Sequence, residues 1–233
     1  MKTLKHNGLF IVFFVLFLLS LAGQALAGVA LFNEQQTAAG LEHVSIWQYV
    51  TTSSFAVDVA ENWQSEFLQF LLLIVAAVWF VQKGSPESKK IGREGLETDQ
   101  DQQVGEHAHP DSPSWARAGG WRTRLYSNSL AAVMGGIFLL SWFAQSVAGF
   151  SAFAEQQLGN LQDPGTWGEY VLSPEFWGRT LQNWQSEFLA VASMVILAVY
   201  LRQRGSPESK PVGAAHTETD VEGSVSYTHL RAH

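Results

Sequence analysis

No cysteine occurs among the 233 residues, which excludes disulfides, thiolate metal sites and cysteine nucleophiles. Charge is sparse as well, at 15% of residues, with a net charge of -7. The mean hydropathy of +0.04 would suit a soluble protein. That average hides a segregation into apolar runs and polar stretches. Lysine and arginine are almost missing from two long segments, about 28–61 and 149–181, where Arg179 stands alone. No nucleophile–base–acid set and no cluster of metal ligands is visible on one face. His107-Ala-His109 offers two histidines in a polar segment, too few for a metal site of ordinary geometry. Neither a catalytic activity nor a cofactor is expected, and no nucleic-acid partner.

What is present is a sequence written twice. Asn62-Trp-Gln-Ser-Glu-Phe-Leu68 returns as Asn183-Trp-Gln-Ser-Glu-Phe-Leu189, and Gly84-Ser-Pro-Glu-Ser-Lys89 returns as Gly205-Ser-Pro-Glu-Ser-Lys210. Both pairs lie at an offset of 121 residues without a gap. At that offset Phe17–Ser20 also matches Phe138–Ser141, Gln24 matches Gln145, and Glu34-Gln-Gln36 matches Glu155-Gln-Gln157. From Asn7/Asn128 onward 33 of 83 pairs are identical, the mark of a duplicated structural unit.

Each unit contains two apolar runs. A helix crossing the hydrocarbon layer needs about 20 mainly apolar residues, and segments of about 8–27, 62–81, 129–148 and 182–201 meet that length. The first also has the features of a signal peptide, with Lys2 and Lys5 ahead of an apolar run and Ala25-Leu-Ala27 after it. Its counterpart at 138–149 is internal, which favours a retained helix. Positive charge sets orientation. Lys2, Lys5, Lys83, Lys89, Lys90, Arg93, Arg117, Arg122, Arg124, Arg202, Arg204 and Lys210 all precede the first run, lie between the second and third, or follow the fourth. Both termini and the central loop are therefore expected in the cytoplasm, with the loops 28–61 and 149–181 outside. The fold expected is an all-α integral membrane protein of four transmembrane helices, arranged as two parallel two-helix repeats with pseudo-two-fold symmetry about the membrane normal.

The boundaries follow. Repeat unit 1 covers 1–90, a cytoplasmic linker 91–120, repeat unit 2 121–211, and a disordered tail 212–224. The linker is read as solvated because it is rich in Gly, Ser, Pro and acidic residues. The last nine residues, 225–233, resemble the translation of a sequencing-library adapter. They are expected to make no packed contacts, with the natural C-terminus lying outside this sequence. Ser173-Pro174-Glu175 reads as a helix N-cap followed by a proline at the first helical position. Gly84 and Gly205 read as helix stops, which makes the repeated Gly-Ser-Pro-Glu-Ser-Lys punctuation, not a phosphate cradle. Trp47, Trp63, Trp167, Trp177 and Trp184 are expected at the outer interface.

One constellation has chemical interest. Counted about 20 residues from the inner boundaries, Glu66 and Glu187 fall inside the outer leaflet, roughly 6–8 Å below its edge. Gln24 and Gln145 arrive at a similar depth from the other helix of each unit, with Ser20 and Ser141 within about a turn. Carboxylates in a membrane face the protein interior and often mark ion or proton pathways. Polar residues there also serve as interhelical hydrogen-bond glue, and a small-ligand site is a third reading. Small residues at four-residue spacing, Ala131/Gly135 and Ala132/Gly136, permit close helix packing inside the chain or between copies in a homo-oligomer.

With its doubled heptad and doubled hexapeptide, the chain resembles a bacterial family of uncharacterised membrane proteins catalogued as a domain of unknown function. The resemblance spans about Asn7 to Gly213 and implies a multi-pass protein of the bacterial cytoplasmic membrane. It assigns no catalytic residue. The expected role is interaction or envelope maintenance with the lipid bilayer as the one definite partner. The alternative is a small transporter or a proton- or ion-linked channel using Glu66 and Glu187.

Overall fold

A computed structural model describes residues 6–220. Lys2, Lys5 and the adapter-like segment 225–233 lie outside the described residues, as does the end of the expected tail. Among the described residues all regular structure is helical: α1 (Gly8–Ala38), α2 (Ile46–Tyr49), α3 (Ser53–Trp79), a 3-10 turn (Gly105–His107), α4 (Ser114–Arg117), α5 (Gly120–Ser127), α6 (Ser129–Gly159), α7 (Trp167–Val171) and α8 (Pro174–Tyr200). Adding 121 to both bounds of α1 and α3, and to the first residue of α2, gives α6, α8 and the start of α7.

Two helices, α1 and α6, are long and apolar enough to cross a membrane. Each has 31 residues, about 46 Å at 1.5 Å per residue. They run some 11 residues past the expected spans because Glu34-Gln-Gln36 and its copy continue the helix with good helix formers. In α3 and α8 the apolar stretch fills only the C-terminal part, after the polar residues of the Asn-Trp-Gln-Ser-Glu heptad.

The helix ends are set by local chemistry, twice over. Where α1 stops, Gly40 donates to the Thr37 carbonyl at 3.1 Å and Leu41 to Gln36 at 2.8 Å. Where α6 stops, Leu161 donates to Leu158 at 3.0 Å and Gln162 to Gln157 at 2.8 Å. This Schellman arrangement needs a left-handed residue after the helix. Gly40 supplies it at φ 72°, but its counterpart is Leu161, held at φ 57°. Capping boxes open α2 (Ser45 with Gln48) and α7 (Thr166 with Glu169). The Ser173 hydroxyl accepts from the Phe176 amide at 3.3 Å, capping α8.

The chain divides into two compact units. The first comprises the described residues up to Glu61 together with Trp142–Trp177. Its core is one aromatic arrangement built twice. Tyr49 packs between Phe32 (ring centroids 5.6 Å apart) and Phe55 (5.4 Å). Tyr170 packs between Phe153 (5.3 Å) and Phe176 (5.7 Å). Both tyrosines are buried, and burial, with the Asp58 carboxylate nearby, pushes the Tyr49 phenol above its usual range. Each tyrosine hydroxyl lies where a side chain on Gly28 or Gly149 would stand, so only glycine lets the ring lie flat on the long helix.

The second unit comprises Asn62–Ser141 and the residues from Gly178 on. Part of the expected linker is ordered within it. Trp115 and Trp121 meet edge to face at 6.0 Å, and the Thr123 hydroxyl donates to the Trp115 carbonyl at 2.8 Å, joining α4 to α5.

Candidate functional site

Within the second unit the structure brings Glu66 and Glu187 together. Glu66 lies within electrostatic range of Glu187, and the Ser65 hydroxyl reaches the Glu187 carboxylate. The same hydroxyl donates to the Asn62 carbonyl at 3.0 Å. Ser141 is buried in this unit, whereas Ser20, Gln24 and Gln145 belong to the first, where Gln145 is almost completely enclosed.

The two heptads are not used alike. The Trp184 indole donates to the Gln64 side-chain oxygen at 2.8 Å, and Phe138 flanks the indole at 6.4 Å. Gln64 is 0% exposed. In the other copy Gln185 and Ser186 are exposed and Glu187 is half-buried, while Glu66 is exposed. Identical residues thus meet across the two copies, one giving its tryptophan and the other its glutamine.

The hexapeptides do more than end helices. Both glycines are left-handed, Gly84 at φ 88° and Gly205 at φ 85°, but they stand five residues beyond Trp79 and Tyr200, inside a turn. That turn is closed by the motif's second serine. Ser88 accepts from the Gln82 amide at 2.8 Å, and Ser209 from Gln203 at 2.9 Å. The motif's lysine then folds onto the following chain. Lys89 donates to the Gly95 carbonyl at 2.9 Å and pairs with Glu97 at 3.1 Å. Lys210, fully buried, donates to the carbonyls of Ala215, His216 and Glu218, each at 3.1 Å. The proline-linked glutamates meet each other. Glu87 is pushed up to about 7, chiefly by its hydrogen bond with Glu208, then by partial burial and by the charge of Glu208. The Glu87 carboxyl is therefore partly protonated near neutral pH.

Three of these features escaped the sequence reading: the glycine–tyrosine contacts, the hydroxyl and lysine ties of the hexapeptide, and the Glu87–Glu208 pair. A signal for the first existed, since Gly28/Gly149, Phe32/Phe153, Tyr49/Tyr170 and Phe55/Phe176 are all identical at the repeat offset. Among the described residues no group of three or more histidine, aspartate or glutamate side chains could hold a metal ion. No curated protein and no solved structure matches the chain. Residues 1–221 match the family model described as a domain of unknown function, DUF6766, and over that span the chain belongs to this family.

Proposed function

We propose that the chain is a non-enzymatic, multi-pass protein of the bacterial cytoplasmic membrane, with four crossings, both ends inside, and an interaction or envelope-maintenance role. The two repeats are read as parallel halves about a pseudo-two-fold axis. The burial of the apolar helices supports a membrane setting. Only 6% of the apolar window of α1 and 22% of that of α6 is enclosed, far less than the core helix of a soluble protein requires. Leaving such area to water would cost roughly 25 cal/mol per Å2, so lipid or a partner covers it. A signal sequence accounts for a lone N-terminal run, but α6 is internal. Reporter fusions after Gly40 and Gly159 are expected to report the outside, and fusions after Gly105 and Gly213 the cytoplasm. A cytoplasmic signal at Gly40 overturns this topology.

In this reading the observation that carries the role of the heptads is the Ser65–Glu187–Glu66 cluster on α3 and α8. It ties two helices by polar contacts where apolar packing gains little in lipid, at roughly 0.6–2 kcal/mol per bond. Transport is the second reading, favoured by the closeness of two carboxylates at one level of the heptads, the arrangement in which a proton can be passed or an ion held. The double variant Glu66→Gln/Glu187→Gln separates the two. As glue, it melts in detergent at or slightly above the parent temperature, because hydrogen-bonding shape is kept and the cost of burying charge is removed. As a transport site, it keeps its fold but loses proton- or ion-linked flux in vesicles. No flux in the parent, with unchanged melting of the variant, leaves glue. A marked loss of folding means the carboxylates are ionised and paired.

A further inference from the structure

The second unit contains a cavity of about 510 Å3 formed between the C-terminal parts of α3 and α8 and the turn that follows α3. Leu73, Ala77, Val191 and Val195 are among its apolar walls, and Ser85 and Glu87 stand at its polar end. Its size and mostly apolar lining with a few convergent polar groups are those of a small-molecule site. Ser85 is 4% exposed, so its hydroxyl belongs to the enclosed part of the site. Glu87 in turn meets Glu208 of the second hexapeptide.

Among the described residues that line the cavity, Glu87 alone is charged. The cations of the two motifs are engaged elsewhere: Lys89 on Gly95 and Glu97, Lys210 on three backbone carbonyls. Lys90 pairs with Asp220, and Arg202 donates to the Val199 and Ala214 carbonyls. Glu208 is the titratable group that faces Glu87. A phospholipid is a poor occupant, because its phosphate lies nearer its chains than any amine and would meet the carboxylates first.

We propose that this cavity binds an amphipathic cation, its apolar body among Leu73, Ala77, Val191 and Val195 and its positive charge against Glu87 and Glu208. Ser85 supplies a neutral polar contact beside the charge. The site uses neither Glu66 nor Glu187, so it stands or falls apart from the role assigned to them. Because a proton competes with the cation for the carboxyl pair, occupancy rises with pH across neutrality.

The test is equilibrium binding of radiolabelled tetraphenylphosphonium to the purified full chain in a neutral maltoside detergent. Saturable binding is expected, roughly three- to tenfold weaker at pH 6 than at pH 8. It falls about tenfold or more in Glu87→Gln/Glu208→Gln, falls likewise when Ala77→Phe fills the cavity, and resists competition by neutral triphenylmethanol. The pH comparison uses the parent chain, so a variant that fails to fold leaves the decision intact. Absence of saturable binding, binding that is equal at pH 6 and 8, binding that survives the folded variants, or equal competition by triphenylmethanol overturns the proposal.

Discussion

The first unit uses the duplicated residues twice in the same way, whereas the second uses them in two ways. Tyr49 and Tyr170 sit between matching phenylalanines, and each covers the matching glycine of its own long helix. The heptads instead divide the work, since Trp184 of one bonds Gln64 of the other while Gln185 stays exposed. The difference lies in where each contact closes. A tyrosine folding back on the long helix of its own copy is completed inside that copy, so both copies satisfy it independently. A contact made between copies needs one tryptophan and one glutamine, and a single pairing satisfies the requirement for both. Sequence identity within a repeat therefore predicts like environments only for contacts internal to the repeat.

Breaking the first half of this comparison should have the largest effect. Gly28→Ala and Gly149→Ala each place a methyl group against a buried tyrosine hydroxyl, at a cost of about 1–3 kcal/mol. Detergent melting should show similar losses at both positions. Tyr49→Phe should recover much of the loss in Gly28→Ala, and Tyr170→Phe much of that in Gly149→Ala. A silent Gly149→Ala would end the claim that the two contacts are alike.

The second half is sharpened by a smaller difference. Gln64→Leu removes the hydrogen bond from the Trp184 indole to Gln64, worth about 1–2 kcal/mol. Gln185→Leu, at the same place in the exposed copy, should stay within about 0.5 kcal/mol of the parent. Equal melting shifts for the two would mean the heptads are used symmetrically after all. The smallest effect is expected at the end of α6, where Leu161 holds a left-handed backbone while 97% exposed. Leu161→Gly should raise stability by up to about 1 kcal/mol. Gly40→Leu in the other copy should lower it by a similar amount, and a chevron or melting series checks both signs.

The duplication, the long helices and the start of α8 were legible in the sequence because each depends on neighbours along the chain. Pro174 after Ser173 is a local instruction, and so is the apolar run of α1. The counting argument from helix ends set Glu66 and Glu187 beside Gln24 and Gln145 in depth, and it did not foresee the approach of the two glutamates to each other. What stayed hidden depends on which copy faces which. Nothing in two identical heptads says that Gln64 will be enclosed and Gln185 left outside. The Glu87–Glu208 pair was hidden for a related reason. A Ser-Pro-Glu turn read alone is an exposed acid after a helix, and only the approach of its twin pushes the Glu87 carboxyl up. The short helix α4 at the end of the linker, tied to α5 by the Thr123 hydroxyl and the Trp115–Trp121 edge contact, was hidden in a composition dominated by acids and glycine.

The turn after α3 has a consequence for how the chain is made. The Gly84 amide donates to the Thr219 hydroxyl, 135 residues later, at 2.9 Å. The Ser85 carbonyl accepts from the Asp220 amide at 3.2 Å, and Lys90 pairs with Asp220. A ribosome adding about 5–20 residues per second therefore finishes the first copy's turn several seconds before its partners exist. Under the topology proposed above, the turn is unlatched during that interval, and Ser85 and Glu87 wait at the cytoplasmic side without their later neighbours. Emergence of Thr219 and Asp220 from the ribosome would close the turn, so a nascent chain stalled before Thr219 should be cut by protease within 82–95 at a site that the finished protein protects.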